Sequence, residues 1–107
     1  MIEIAQEGDW IVVRLEGDID IVSAPAAQDG IAELQALGYN NVRVDLGRVE
    51  FLDSQGLNLL VAVRKRALDA GGEIQISNAS HRILELLRLT NLDEVFTIVR
   101  SPGDEVA

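Results

Sequence analysis

The residues best placed to do chemistry are Asp53-Ser54-Gln55-Gly56, which interrupt an otherwise apolar run, VEFLDSQGLNLLVAV, from Val49 to Val63. The interruption has two readings. Asp53 or Ser54 can serve as the N-cap of a helix, its side-chain oxygen accepting from the first free backbone N–H groups. Alternatively, the turn presents the Ser54 hydroxyl to something. A hydrolytic serine needs a base and oxyanion donors. His81 is the sole histidine, but Ser54 has no G-x-S-x-G elbow and no oxyanion donors suggest themselves. One histidine among scattered carboxylates, without an H-E-x-x-H pattern, makes a poor metal site. His81 is therefore expected to be a surface residue, and neither a catalytic residue nor a metal ligand is assigned.

A second candidate is Asp18-Ile19-Asp20-Ile21-Val22. A strand ending in D-x-D-x-V resembles the nucleophile motif of haloacid-dehalogenase-type phosphatases, in which the first Asp attacks phosphorus and the second handles protons. Those enzymes also need a lysine and further magnesium-binding acids on later strands. The single Lys here, Lys65, falls in the middle of an expected helix, and 107 residues are too few for that fold. There is no G-x-x-x-x-G-K-[ST] and no G-x-G-x-x-G, so no nucleotide cofactor is expected.

Charge narrows the partners. Nine Lys and Arg against eighteen Asp and Glu give a formal charge of −9. A phosphate backbone would be repelled, so no nucleic acid is expected as a partner. An acidic balance favours a protein with a basic face, because complementary charge steers encounter. With no cysteine, a disulfide framework is impossible, which fits a reducing compartment. MIEIAQEGDW lacks a basic flank and an apolar signal core. The apolar stretch Leu57 to Val63 is too short to span a bilayer. A soluble, cytoplasmic protein with no direct membrane insertion is expected.

The elements that must position Ser54 follow from periodicity. IEIA (Ile2 to Ala5) and WIVVRLEG (Trp10 to Gly17) read as two strands joined through Gly8-Asp9, with Ile11, Val13 and Leu15 on one face. GDIDIV then leaves the sheet. Ser23 followed by Pro25 marks a helix start, Ala27, Ile31 and Leu34 form its stripe, and Gly38 stops it. NVRVDLG is a strand with Val42, Val44 and Leu46 on one face. A helix follows from about Ser54 to Ala70, with Leu57, Leu60, Val61, Arg64 and Leu68 at helical spacing, Arg64 at the stripe's edge, and Gly71-Gly72 as its end. EIQIS is a strand, Ser80 caps a short helix carrying Ile83, Leu86 and Leu87, and EVFTIV is a final strand. This order predicts one α/β domain over residues 1–100, a mixed β-sheet covered by α-helices, followed by a polar tail at 101–107. Strand Val42 to Leu46 delivers the Ser54 turn to the end of the sheet where loops collect function. Gly56 leaves space there for another protein's backbone, and Leu57 and Asn58 offer apolar and polar contacts within a turn of the serine.

RVDLGRVEFLDSQGLNLLVAVRKRALDAGGEIQIS, followed by a short helix and LTNLDEVFTIV, resembles a STAS domain, specifically the stand-alone bacterial anti-sigma factor antagonists. The resemblance covers essentially the whole chain, including LEGDID and the Gly-Gly before the penultimate strand. Asp53, Ser54, Gly56 and Leu57 match the D-S-[ST]-G-L-G core. Gln55 stands where Ser or Thr is usual, leaving Ser54 as the only hydroxyl in the motif, and Asn58 replaces a common glycine. The resemblance implies a non-enzyme whose Ser54 is phosphorylated by its own partner, an anti-sigma factor that is also a serine kinase. It also implies a separate phosphatase acting on the phosphoserine, and it makes Asp20, like Asp53, a partner contact. Docking of the unphosphorylated form would release a sigma factor. The alternative implied is a STAS adaptor subunit of a membrane (lipid) transporter. A scaffold protein of a stress-signalling complex shares the fold but usually brings extra domains.

Overall fold

Alternating apolar and polar residues sort each strand into a buried side and a polar side, and this places the helices. The structure, a computed structural model, describes residues 2–99. Strands β1 (Ile2–Glu7) and β2 (Trp10–Glu16) precede helix α1 (Ala24–Ala36) and strand β3 (Asn41–Arg48). Helix α2 (Ser54–Asp69), strand β4 (Glu73–Ser77), helix α3 (His81–Leu89), a 3-10 turn at Leu92–Glu94 and strand β5 (Thr97–Val99) complete the order. The strands form one five-stranded sheet in sequential order. β1 pairs antiparallel with β2, and the pairs β2–β3, β3–β4 and β4–β5 are parallel. The expected mixed α/β sheet is therefore observed.

Three successive crossovers step across the sheet in one direction. With right-handed connections, all three helices fall on the same face. The core agrees: Val13, Leu15, Val42, Val44, Leu46 and Ile76 meet Ile31, Leu59, Leu60, Val63 and Leu87 in one buried cluster. The opposite face carries a polar lattice. Arg14 Nε lies 3.1 Å from Asp45 Oδ2, Arg48 pairs with Glu3 and Glu16, and Arg43 pairs with Glu7 while stacking over Trp10. Three arginines and four carboxylates thus line a face that a fully covered parallel sheet would bury.

Several expectations change in detail. The buried stripe of α2 is Gly56, Leu59, Leu60, Val63 and Ala67. Leu60 and, at the stripe's edge, Arg64 fall where expected, but Val61 and Leu68 are exposed and Leu57 is only half-buried. LNLLVAV is apolar on too many sides for periodicity to choose the face. EVFTIV is shorter as a strand, because Leu92–Glu94 coils first and only Thr97–Val99 pairs. Ser23 sits at the N-cap of α1 but makes no capping hydrogen bond. Gly71-Gly72 ends α2 as expected, with Gly71 at φ +80° and a Cβ on Gly72 colliding with the Asn40 carbonyl. The polar tail at 101–107 lies outside the described residues.

Candidate functional site

Parallel strands deliver their following loops to one end of a sheet. Here these are residues 17–23 after β2, 49–53 after β3 and 78–80 after β4. The first two are stitched together. Ile19 and Leu52 form a parallel bridge, the Ile19 N–H donates to the Phe51 carbonyl at 3.0 Å, and the Asp53 N–H donates to the Ile19 carbonyl at 3.2 Å. The D-x-D segment and the D-S-Q-G segment therefore form one surface.

Asp53 is the N-cap of α2. Its Oδ1 accepts from the Gln55 N–H at 2.8 Å and the Gly56 N–H at 3.2 Å. A cap of this type contributes about 1 kcal/mol to helix stability. Ser54 is the first helical residue and is exposed. Among the described residues no hydrogen bond holds its hydroxyl. The two readings fall on different residues: Asp53 caps the helix, and Ser54 lies exposed on its first turn. The capping also means that the N–H groups of Gln55 and Gly56 are already engaged. A phosphate on Ser54 would have to displace the Asp53 carboxylate to use them.

Gly56 is buried, and the space beside it is filled from within the protein. A Cβ there would lie 2.6 Å from Leu52 Cγ and 2.9 Å from the Ile19 carbonyl oxygen. The expectation that Gly56 leaves room for a partner's backbone is corrected accordingly: its missing side chain lets the helix start pack against both loops. Leu57 is half-buried and Asn58 exposed, so the turn after the serine does offer one apolar and one polar side chain.

Asp20 is occupied with its own loop. Its Oδ1 accepts from the Val22 N–H at 2.9 Å and the Ser23 N–H at 3.0 Å. The Ser23 hydroxyl donates to the Asp18 carbonyl and accepts from the Asp20 N–H. The organising group before α1 is therefore Asp20 rather than Ser23. The backbone N–H groups of Ser23 and Val22 hold its carboxyl below the ordinary carboxylate value. A lowered native pKa gives an anchor that is complete above the ordinary carboxylate range and is lost as pH falls through the lowered value. In an NMR titration the Asp20 carboxyl is expected to titrate below its ordinary value, and Asp20→Ala at neutral pH should speed exchange of the Val22 and Ser23 amides. An ordinary titration with unchanged exchange would remove this role.

The loop that Asp20 holds carries two side chains that sequence reasoning passed over. Ile21 is 70% exposed and Val22 is 84% exposed. Phe51, on the facing loop, is 47% exposed. The available signal was apolar residues in a segment that had already left the sheet. Their neighbours Asp18, Asp20, Glu50 and Asp53 take part in none of the ion pairs among the described residues. The surface around Ser54 is thus acidic and carries exposed apolar side chains. His81 is exposed, and no metal-ligating cluster occurs among the described residues. No described helix is long and apolar enough to cross a membrane.

Comparison with known proteins bears on this surface. The STAS domain family matches residues 1–105. The anti-sigma-B factor antagonist of Bacillus subtilis strain 168 is 30% identical over 97 residues, covering 91% of this chain and 88% of that protein. An anti-sigma factor antagonist from Mycobacterium paratuberculosis superposes with a TM-score of 0.85 at 28% identity, covering 97% of this chain and 88% of the other. The Bacillus cell fate determinant SpoIIAA in its phosphorylated form superposes with a TM-score of 0.77 at 17% identity, covering 98% of this chain and 95% of the other.

Proposed function

The chain belongs to the STAS domain family, and from that premise we propose that it is an anti-sigma factor antagonist switched by phosphorylation of Ser54. The observation that carries the proposal is the exposed Ser54 hydroxyl on the first turn of a helix whose start is fixed by Asp53. Support comes also from the curated Bacillus relative, of similar length and named as an antagonist, and from the SpoIIAA fold having been solved in a phosphorylated form. The match over most of a similarly sized antagonist favours this reading over a transporter adaptor.

In the dephosphorylated state the surface presents a small neutral hydroxyl among apolar side chains and docks on an anti-sigma factor, in competition with the sigma factor. The docked partner is a serine kinase. Ser54 Oγ attacks the γ-phosphorus of ATP, the bond to the bridging oxygen breaks, ADP leaves, and the hydroxyl proton passes to a base of the kinase. Nucleotide, magnesium and base belong to the kinase. The product carries about −1.5 to −2 extra charges beside Asp53. That charge enters an already acidic surface, so docking is weakened without any rearrangement of the fold. A separate phosphatase resets the switch, and the antagonist itself is not an enzyme.

Incubation with each purified anti-sigma factor kinase of the source organism and ATP, followed by mapping of the phosphate, tests this. Labelling is expected on Ser54 alone and should vanish in Ser54→Ala. Labelling that survives in Ser54→Ala, or its absence with every kinase, overturns the assignment.

A further inference from the structure

The loop that presents Ser54 also forms one wall of an apolar groove. Phe51 and Leu52 face Ile83, Leu86 and Leu89 of α3 across a cavity of about 390 Å3. Its size falls within the range of roughly 300–1,000 Å3 usual for binding sites. Ile83 is buried and belongs to the core, whereas Leu86 is only half-covered and Leu89 is 75% exposed. Arg82, Glu85, Leu86 and Leu89 recur at helical spacing, so α3 turns one face inward and leaves a second, partly apolar face unpartnered. Glu50 and Glu85 stand on the groove's border, as do His81 and Arg82.

We infer that this groove seats an amphipathic helix of the anti-sigma factor, as a second anchor beside Ser54. The inference rests on the docking reading above. Two observations choose this occupant. The groove is continuous with the Ser54 surface, because Phe51 and Leu52 lead directly into Asp53 and are tied to Ile19. The chain's net charge of −9 and the border carboxylate of Glu50, which takes part in none of the ion pairs among the described residues (Glu85 is paired with Arg88), favour a helix whose apolar stripe is edged by Lys or Arg. Such helix-in-groove contacts are read by apolar residues spaced three and four apart, which an open trough beside α3 accommodates. Phosphorylation of Ser54 then acts on one of two contact regions. The groove supplies affinity that is independent of the phosphorylation state, and the serine supplies the switch.

The experiment is calorimetric titration of the cognate anti-sigma factor into wild type, Leu89→Glu, Leu37→Glu and Ser54→Asp. Leu37 ends α1 and is 76% exposed, which makes it a matched control away from the loops after the strands. Leu89→Glu is expected to lose at least tenfold in affinity and to retain Ser54 phosphorylation at high kinase concentration, while Leu37→Glu binds as wild type. If Leu89→Glu binds normally while Ser54→Asp does not, the switch stands and the groove inference falls. If wild type binds no anti-sigma factor, both fall. A wild-type dimer that Leu89→Glu dissociates, with unchanged anti-sigma affinity, assigns the groove to a second copy and also overturns the inference.

Discussion

Ser54→Asp is expected to weaken binding to the anti-sigma factor about a hundredfold, or about 2.8 kcal/mol at about 1.4 kcal/mol per tenfold. The estimate follows from where the charge would fall. Asp53 already places a carboxylate at the cap, Asp18, Asp20 and Glu50 border the same loops, and none of them is neutralised by an ion pair among the described residues. Fold stability should be nearly unchanged, because an acidic side chain in the first turn interacts favourably with the helix dipole. Loss of binding without loss of stability separates a charge switch from a folding defect. Ser54→Ala provides the opposite arm: it should bind as wild type and fail to be labelled. Normal binding by Ser54→Asp, measured at matched salt because exposed charges are screened, would show that charge at this position is not what releases the partner.

Much of this arrangement is legible in the residues themselves, and the failures have identifiable physics. Val42, Val44 and Leu46 alternate cleanly because one face of β3 packs in the core and the other carries Arg43 and Asp45, paired with Glu7 and Arg14. Ile11, Val13 and Leu15 share the core face of β2 although Val12 between them is buried as well, and Gly71-Gly72 punctuates α2. The face of α2 was harder. Leu57, Val61 and Leu68 are as apolar as Leu59, Leu60 and Val63, so composition could not say which set turns inward. That excess apolarity lies on a helix adjoining the proposed docking surface. Ser23 differs for a related reason: a serine before Pro25 has the local chemistry of a cap, but the loop is organised by Asp20, three residues earlier, whose carboxylate accepts two backbone hydrogen bonds. The role of Gly56 could not be read from spacing, since it depends on Leu52 and on Ile19, a residue far away in the sequence. Long-range packing is the level at which single-sequence reasoning stops.

Gly56 also provides a test of how firmly the two loops fix the serine. In a helix, alanine is ordinarily favoured over glycine by about 1 kcal/mol, so Gly56→Ala would stabilise an unconstrained first turn. The geometry predicts the reverse. The added methyl would sit 2.6 Å from Cγ of the buried Leu52 side chain and 2.9 Å from the Ile19 carbonyl oxygen, a backbone atom that no side-chain rotation can move. Overpacking of this kind costs about 1–3 kcal/mol. With the upper part of that range set against the propensity gain, the net loss should be about 2 kcal/mol. For a domain near this size, each kcal/mol moves the melting midpoint by about 4–8 °C. Relief of the overlap must pull α2 away from the Ile19–Leu52 bridge, so Asp53 and Ser54 shift with it and partner affinity should fall in parallel. Truncating Leu52 in the same chain should make the two changes less than additive, because they share one contact. A Gly56→Ala protein as stable as wild type would mean that the helix start yields easily, leaving the glycine free to serve a partner's approach after all.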